Sequence, residues 1–121
     1  MKRVLLIFIL ALGLSTACGG KAADGEHAAI EDTIRGYVTT FNARDFAQCL
    51  TYFTDYGDKD EALASLEFFR GLSGELGFQE IRDIAISGQT ATVTVAFIIG
   101  GEEGTDQMEL KKVDSRWKIV W

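Results

Sequence analysis

The side chains best suited to acid–base chemistry in this chain are phenols and carboxylates of its central part. They are Tyr37, Tyr52, Asp55, Tyr56 and Asp83. General acid–base catalysis needs such a group inside a pocket, with a partner that tunes its pKa. Tyr37 falls on an apolar stripe with Ile34 and Val38, which favours packing over catalysis, and Asp55 borders a predicted turn. We therefore predict no catalytic residue, and a small pocket enzyme is the alternative.

Metal chemistry has little support in the sequence. His27 is the only histidine, and a metal site or a catalytic triad would need further partners for it. Glu102, Glu103 and Asp106 cluster near a glycine-rich stretch, but their spacing matches no calcium loop. These three residues are predicted to form a solvated acidic turn. We predict no metal and no cofactor.

Cys49 is predicted to be a buried thiol. It lies with Phe46, Leu50 and Phe53 at the spacing of one helix face, and a free cysteine packs like a small apolar residue. A reactive thiol would need a neighbouring cation or base, which the adjacent residues do not provide.

The N-terminal segment has the order of a secretory signal. Basic residues 2–3 precede an apolar run over residues 4–14, which is short for a membrane span. The sequence Leu14-Ser15-Thr16-Ala17-Cys18 resembles the lipobox of bacterial lipoproteins. That resemblance implies a diacylglyceryl group on the Cys18 thiol and removal of residues 1–17. An ordinary signal peptide followed by an incidental cysteine is the other interpretation.

The same resemblance implies an extracytoplasmic protein, lipid-anchored in the cell envelope. Residues 18–27 would then be the lipidated cysteine and a short tether of small and polar residues. Gly19 is not the aspartate that commonly retains lipoproteins in the inner membrane, so an outer-membrane location is implied where the organism has one. The net charge of −6 opposes contact with nucleic acid. The predicted partners therefore include the membrane, through the anchor, and no nucleic acid.

Three helices are predicted from apolar residues spaced near 3.6. The first begins near His27. Its apolar face is formed by Ile30, Ile34, Tyr37, Val38 and Phe41. Asp45 is placed to cap a second helix that reaches Tyr52 or Phe53. In residues 58–61 an acceptor is followed three positions later by a glutamate, the pattern of a capping box that starts a third helix.

From Phe78 onward the apolar period changes to two, which predicts strands. The clearest strand has on one face Ala91, Val93, Val95, Phe97 and Ile99. Gly88-Gln89 precedes it as a two-residue hairpin turn, and residues 100–104 follow it as a longer turn. The last two strands are marked by Met108, Leu110, Trp117, Ile119 and Trp121. The prediction is a four-stranded antiparallel meander that follows the helices.

A sheet with one apolar face needs a cover, and the helices have apolar stripes to bury. We therefore predict an α+β fold, a cone-shaped roll in which about three N-terminal helices pack on a curved four-stranded antiparallel sheet. This order resembles the nuclear transport factor 2-like superfamily, with its cystatin-like roll, and within it small bacterial lipoproteins. The residues that carry the resemblance are Ile30–Phe41 as the long helix, Ser87–Val93 as the hairpin and Trp117 near the end.

The resemblance covers about residues 28–121 and implies a conical pocket between the first helix and the sheet. Members of the superfamily include small-molecule binders, dimers that pair through the sheet, and a few isomerases, cyclases or dehydratases. A pocket for a small apolar ligand would be lined by Tyr37, Phe41, Val93, Val95, Phe97, Trp117 and Ile119. Complete filling of the core by these side chains is the alternative.

The outer face of the sheet is a second candidate surface. It presents Thr90, Thr92, Thr94, Ala96, Ile98 and Val120. Such a face suits a homodimer or a protein partner, and an ordinary solvated sheet is the alternative. Together these features favour a membrane-anchored, extracytoplasmic module that binds a small ligand or a protein and does not catalyse a reaction.

Overall fold

The computed structural model describes the backbone from residue 18 to residue 121 and the side chains from residue 25. The predicted signal segment, residues 1–17, and the Cys18 side chain lie outside the described residues. The elements in chain order are α1 (Cys18–Asn42), α2 (Phe46–Leu50), β1 (Phe53–Thr54), α3 (Lys59–Ser73), β2 (Leu76–Ser87), β3 (Thr90–Ile99), β4 (Glu102–Val113) and β5 (Arg116–Val120). The predicted α+β class is confirmed. Of the described helices, none combines the length and the apolar character that crossing a membrane requires.

The first helix carries the predicted apolar face. Ile30, Ile34 and Phe41 have no exposed surface, and Tyr37 and Val38 are nearly as deeply buried. The helix begins at Cys18 rather than near His27, so its first turns cover the predicted tether. The alanines of this stretch are good helix formers, which is consistent with the early start.

Two side chains tie α1 to the far end of the chain. The Thr33 hydroxyl donates to the Trp117 carbonyl oxygen at 2.9 Å, and Lys112 Nζ lies 2.9 Å from a Glu26 carboxylate oxygen. Because the Thr33 bond is buried, losing its partner would leave a polar group unsatisfied. These contacts fix the angle between α1 and the last two strands.

The second helix is shorter than predicted. The Asp45 side chain accepts a hydrogen bond from Gln48 N, as an N-cap should, but the helix ends at Leu50. Phe53 instead lies in β1, which pairs in parallel with β5, opposite Ile119. This short strand makes the sheet five-stranded, and the four-strand prediction missed it because two residues cannot display an alternation.

The third helix starts where the capping pattern predicts. The Asp58 side chain accepts from Glu61 N at 2.9 Å, and Leu66 packs into the core. Arg70, also buried, donates to the Asn42 carbonyl oxygen at 3.3 Å. A cation at this position stabilises the C-terminal end of α1, where carbonyl groups lack helical partners.

The strands are ordered β1-β5-β4-β3-β2, and all neighbours except β1 and β5 are antiparallel. Gly88 has φ 61°, as a two-residue hairpin turn with glycine first requires. Gly100 and Gly101 both have positive φ and form the whole β3–β4 turn. The predicted longer turn over residues 100–104 is therefore wrong. The strand resumes at once, because two glycines already supply the backbone geometry of a tight hairpin.

Cys49 is fully buried between α1 and α2, which confirms the predicted core thiol. Its Sγ lies 3.8 Å from the Tyr37 carbonyl oxygen. Burial raises the pKa of this thiol above its usual value, so the side chain is a neutral packing group at physiological pH.

Candidate functional site

A groove of about 610 Å³ opens between α3 and the β4–β5 side of the sheet. Leu66, Phe68 and Phe69 of α3 form one wall, and Met108 and Ile119 are among the sheet residues opposite. Ligand sites in proteins have volumes of roughly 300–1,000 Å³ and mainly apolar linings. The size and lining of this groove therefore suit a small organic molecule.

Tyr37 of α1 also lines this groove. Burial raises the pKa of its hydroxyl well above the usual range, and Cys49 and Asp106 add smaller contributions in the same direction. The phenol is consequently neutral at physiological pH and acts as a hydrogen-bond donor or acceptor. Its ring is held edge-on against Phe53, with the ring centroids 5.1 Å apart.

Asp106 brings a carboxylate to the same groove. It pairs with Val95 across the β3–β4 ladder, and Val95 has no exposed surface. Directly opposite residues of a ladder share a face, so Asp106 lies on the inner face of the sheet. The predicted solvated acidic turn is wrong, because Glu102, Glu103 and Asp106 all lie in strand β4.

Sequence reasoning missed Asp106 as a site residue, although a signal was present. Asp106 precedes Met108 by two residues and Leu110 by four, so all three share one face of a strand. Extending the alternation backward from Met108 would have placed the carboxylate inward. The prediction of an acidic turn that includes Asp106 obscured this alternation.

The open end of the groove is aromatic. Trp121 packs against Phe53 with centroids 5.3 Å apart and against Tyr56 at 6.5 Å, both edge-on. Phe68 and Phe69 on α3 are mostly exposed. Large exposed apolar side chains around a concavity mark a binding surface, and aromatic rings favour flat ligands that stack.

The seven predicted pocket residues all belong to one core cluster. Tyr37 and Ile119 also line the groove. The other five are buried and do not line the groove: Phe41, Val93, Val95, Phe97 and Trp117. The structure thus brings the predicted set together in one core cluster, although Trp117 lines a second cavity and not the groove. Contact of these residues with a ligand stays a prediction.

The remaining acid–base candidates, which are Tyr52, Asp55, Tyr56 and Asp83, are not among the residues that line the groove. Asp55 forms an ion pair with Lys111 at 2.8 Å, and the Tyr52 ring packs against Gly36 of α1. Asp83 is exposed on β2. These contacts give Asp55 a role in ion pairing and Tyr52 a role in packing.

The outer sheet face is mixed in exposure. Thr90, Thr92 and Ile98 are exposed, whereas Ala96 is buried even though it lies on this face. Pairing of two copies through this face stays a prediction.

A second cavity, of about 520 Å³, lies between α1, α2 and the β4–β5 turn. Two of its charged lining residues, Glu26 and Lys118, are engaged with other groups of the protein. Lys112 holds the Glu26 carboxylate and lowers its pKa through a hydrogen bond, and Lys118 Nζ donates to the Thr51 carbonyl oxygen at 2.8 Å. Because its lining is more polar than that of the groove, this cavity suits a small apolar ligand less well.

Comparison with solved structures shows the fold. A protein of unknown function from Mycobacterium tuberculosis superposes with a TM-score of 0.69 at 18% identity, covering 82% of this chain and 70% of the other. An NTF-2 like protein of unknown function from Shewanella oneidensis MR-1 gives 0.61 at 22% identity, covering 78% and 95%. The chain therefore has the NTF2-like fold, as its sequence resemblance implied.

A family model described as "Putative lumazine-binding" matches residues 73–121. This region holds β2 to β5, and it supplies the sheet side of the groove, including Asp106 and Trp121. No curated protein matches the chain.

Proposed function

We propose that this protein is a lipid-anchored, extracytoplasmic module that binds a small amphipathic molecule in the groove between α3 and β4. The observation that carries the proposal is the composition of that groove. Its walls are mainly apolar and aromatic, and the Tyr37 hydroxyl and the Asp106 carboxylate are among the few polar groups that line it. A few placed polar groups in an apolar concavity are what orient a ligand.

The groove chemistry defines the ligand class. The ligand has a flat, apolar body that contacts Phe69 and Trp121, a donor group for Asp106 and a group that hydrogen-bonds Tyr37. A pteridinedione such as lumazine meets these requirements, because its fused ring is planar and carries both N–H and carbonyl groups. The description of the family matched over residues 73–121 supports the same class.

Titration of the purified protein with lumazine, followed by ligand fluorescence, tests this function. We expect saturable binding that weakens about 5- to 50-fold in Tyr37→Phe and in Asp106→Asn, since each removes one hydrogen bond to the ligand. Asp83→Asn is the matched control on an exposed carboxylate and leaves the affinity unchanged. Equal affinities in all four proteins, or no saturable binding, would contradict the proposal.

The membrane anchor has its own test. Cys18→Ser is expected to abolish incorporation of labelled fatty acid and to leave residues 1–17 attached, because lipid transfer needs the thiol. Cys49→Ser serves as the control, since its thiol is buried in the folded domain. Gel mobility and mass spectrometry report both outcomes. Normal processing of the Cys18 variant would remove the anchor from the proposal.

Catalysis of the isomerase, cyclase or dehydratase type is the alternative function. The observation that favours it is that a phenol and a carboxylate face one groove, a pairing that can donate and accept protons on a bound substrate. Recovery of the bound ligand chemically unchanged after prolonged incubation would support binding over turnover.

A further inference from the structure

The second cavity is separate from the groove and more polar. It lies between α1, α2 and the β4–β5 turn, and it shares no lining residue with the groove. Its volume of about 520 Å³ is within the range of roughly 300–1,000 Å³ that is usual for ligand sites. A small polar molecule can therefore be held here without competing for the groove.

One wall of this cavity is the edge of β5 that extends past β1. β1 pairs with β5 only at residues 119–120, and on this side Ile119 N donates to the Tyr52 carbonyl oxygen. Backbone groups of alternate strand residues face the same side, so Trp117 presents its N–H and C=O there too. The carbonyl oxygen accepts from the Thr33 hydroxyl, whereas the N–H has no hydrogen-bond partner among the described residues. This backbone donor is available to a ligand.

The Trp117 indole is a second donor without a partner. Only 4% of this residue is exposed, and its Nε1 makes no hydrogen bond within the part of the chain that the structure describes. Lys112 is the main cause of the lowered pKa of the Glu26 carboxyl, and the indole adds a smaller contribution. The indole N–H is therefore directed toward this carboxylate, which lines the cavity. Because buried donors are nearly always paired, an acceptor atom of a bound molecule would complete the pairing.

The charges of the lining define the ligand class. Two acids and two bases line the cavity, namely Glu26, Asp32, Arg116 and Lys118. Glu26 and Lys118 already have partners in the protein, whereas Asp32 and Arg116 form no ion pair within residues 25–121. One available charge of each sign favours a molecule that carries both, because a simple anion or a simple cation would leave one of the two unmatched.

We propose that the second cavity binds a small zwitterion of the α-amino acid type. The ligand's ammonium group pairs with the Asp32 carboxylate. Its carboxylate pairs with the Arg116 guanidinium and accepts from the backbone N–H of the adjacent Trp117. Charge-assisted hydrogen bonds of this kind are stronger than neutral ones, and a guanidinium matches the geometry of a carboxylate. This site goes beyond the function proposed for the groove and does not depend on it, because the two have no residue in common.

Tryptophan fluorescence tests the proposal, because the chain has two tryptophans and only Trp117 lines this cavity. In Trp121→Phe the emission reports on Trp117 alone. Each common L-amino acid is titrated into this purified full-length variant, and at least one is expected to change the emission saturably. The same compound without its ammonium group, or without its carboxylate, should bind at least about tenfold more weakly, because one charge of the site is then unmatched. Titration calorimetry on the parent protein replaces the fluorescence measurement if Trp121→Phe does not fold.

Two variants place the ligand in the cavity. Asp32→Asn and Arg116→Gln each remove one charge from an exposed side chain, so both should fold as the parent does, and each should weaken the amino acid at least about tenfold. Asp83→Asn, which removes an exposed charge on β2, is the control and should leave the affinity unchanged. The inference is overturned if none of the amino acids binds saturably, if the analogue that lacks one charge binds equally well, or if both cavity variants retain the parent affinity.

Discussion

Replacing Phe41 by alanine is expected to lower the free energy of unfolding by about 3–5 kcal/mol. The Phe41 ring has no exposed surface, and it meets the rings of Tyr37, Phe46 and Phe69 at centroid distances of 5.7, 6.4 and 6.3 Å. It therefore joins α1, α2 and α3 at one point. The loss would include both the transfer of the ring out of water and the cavity left between three helices.

Chemical denaturation measures this effect, and Phe68→Ala is its matched control. Phe68 is the same residue type on α3, but 70% of it is exposed, so its truncation should change stability by less than about 0.5 kcal/mol. A loss for Phe41→Ala no larger than that of the control would mean that the helices do not meet through this ring. Because small domains are stable by about 5–15 kcal/mol, the Phe41 variant should stay folded at low temperature, where its free energy of unfolding can be measured.

Gly36→Ala should destabilise the protein, although alanine is the better helix former. A Cβ at Gly36 would lie 2.3 Å from Cζ of Tyr52 and 2.6 Å from its hydroxyl oxygen, so the Tyr52 ring must move. Overpacking typically costs about 1–3 kcal/mol, whereas the gain in helix propensity is about 1 kcal/mol. The expected net loss is up to about 2 kcal/mol.

The sign of the effect should reverse when Tyr52 is removed. In a Tyr52→Ala background the clash is absent, so Gly36→Ala should stabilise by about 1 kcal/mol through propensity alone. A double-mutant cycle gives the coupling directly. If Gly36→Ala had the same effect in both backgrounds, contact with Tyr52 would not be the reason for glycine at this position.

The sequence predicted the parts of the fold that have long, regular periods. The apolar face of α1, the alternation of β3 and the Asp58 cap all follow from residue spacing. The two-residue strand β1 could not be found this way, because its place depends on β5, which lies far along the chain. The end of α2 could not be predicted for the same reason, because the helix stops at Leu50, where the chain turns toward β1.

The candidate site was predicted in part for a related reason. Apolar spacing identifies buried residues, and Tyr37 and Ile119 were found because the groove borders the core. Phe68, Phe69 and Asp106 break the pattern: two are apolar side chains left exposed, and one is an exposed carboxylate on the otherwise apolar inner face of the sheet. Residues that depart from burial rules are where binding is expected, but a single sequence does not reveal the departure until the elements are placed.

The bond between Thr33 and the Trp117 carbonyl spans 84 positions of the chain, and this separation sets the order in which the molecule can be completed. The hairpins of β2 to β4 join neighbouring segments and close small loops, which costs little entropy. α1 precedes these strands in the chain, and α2, α3 and β2 cover its apolar face only in part until β5 is added. The core of a chain with this connectivity is therefore complete only when β5 packs against α1.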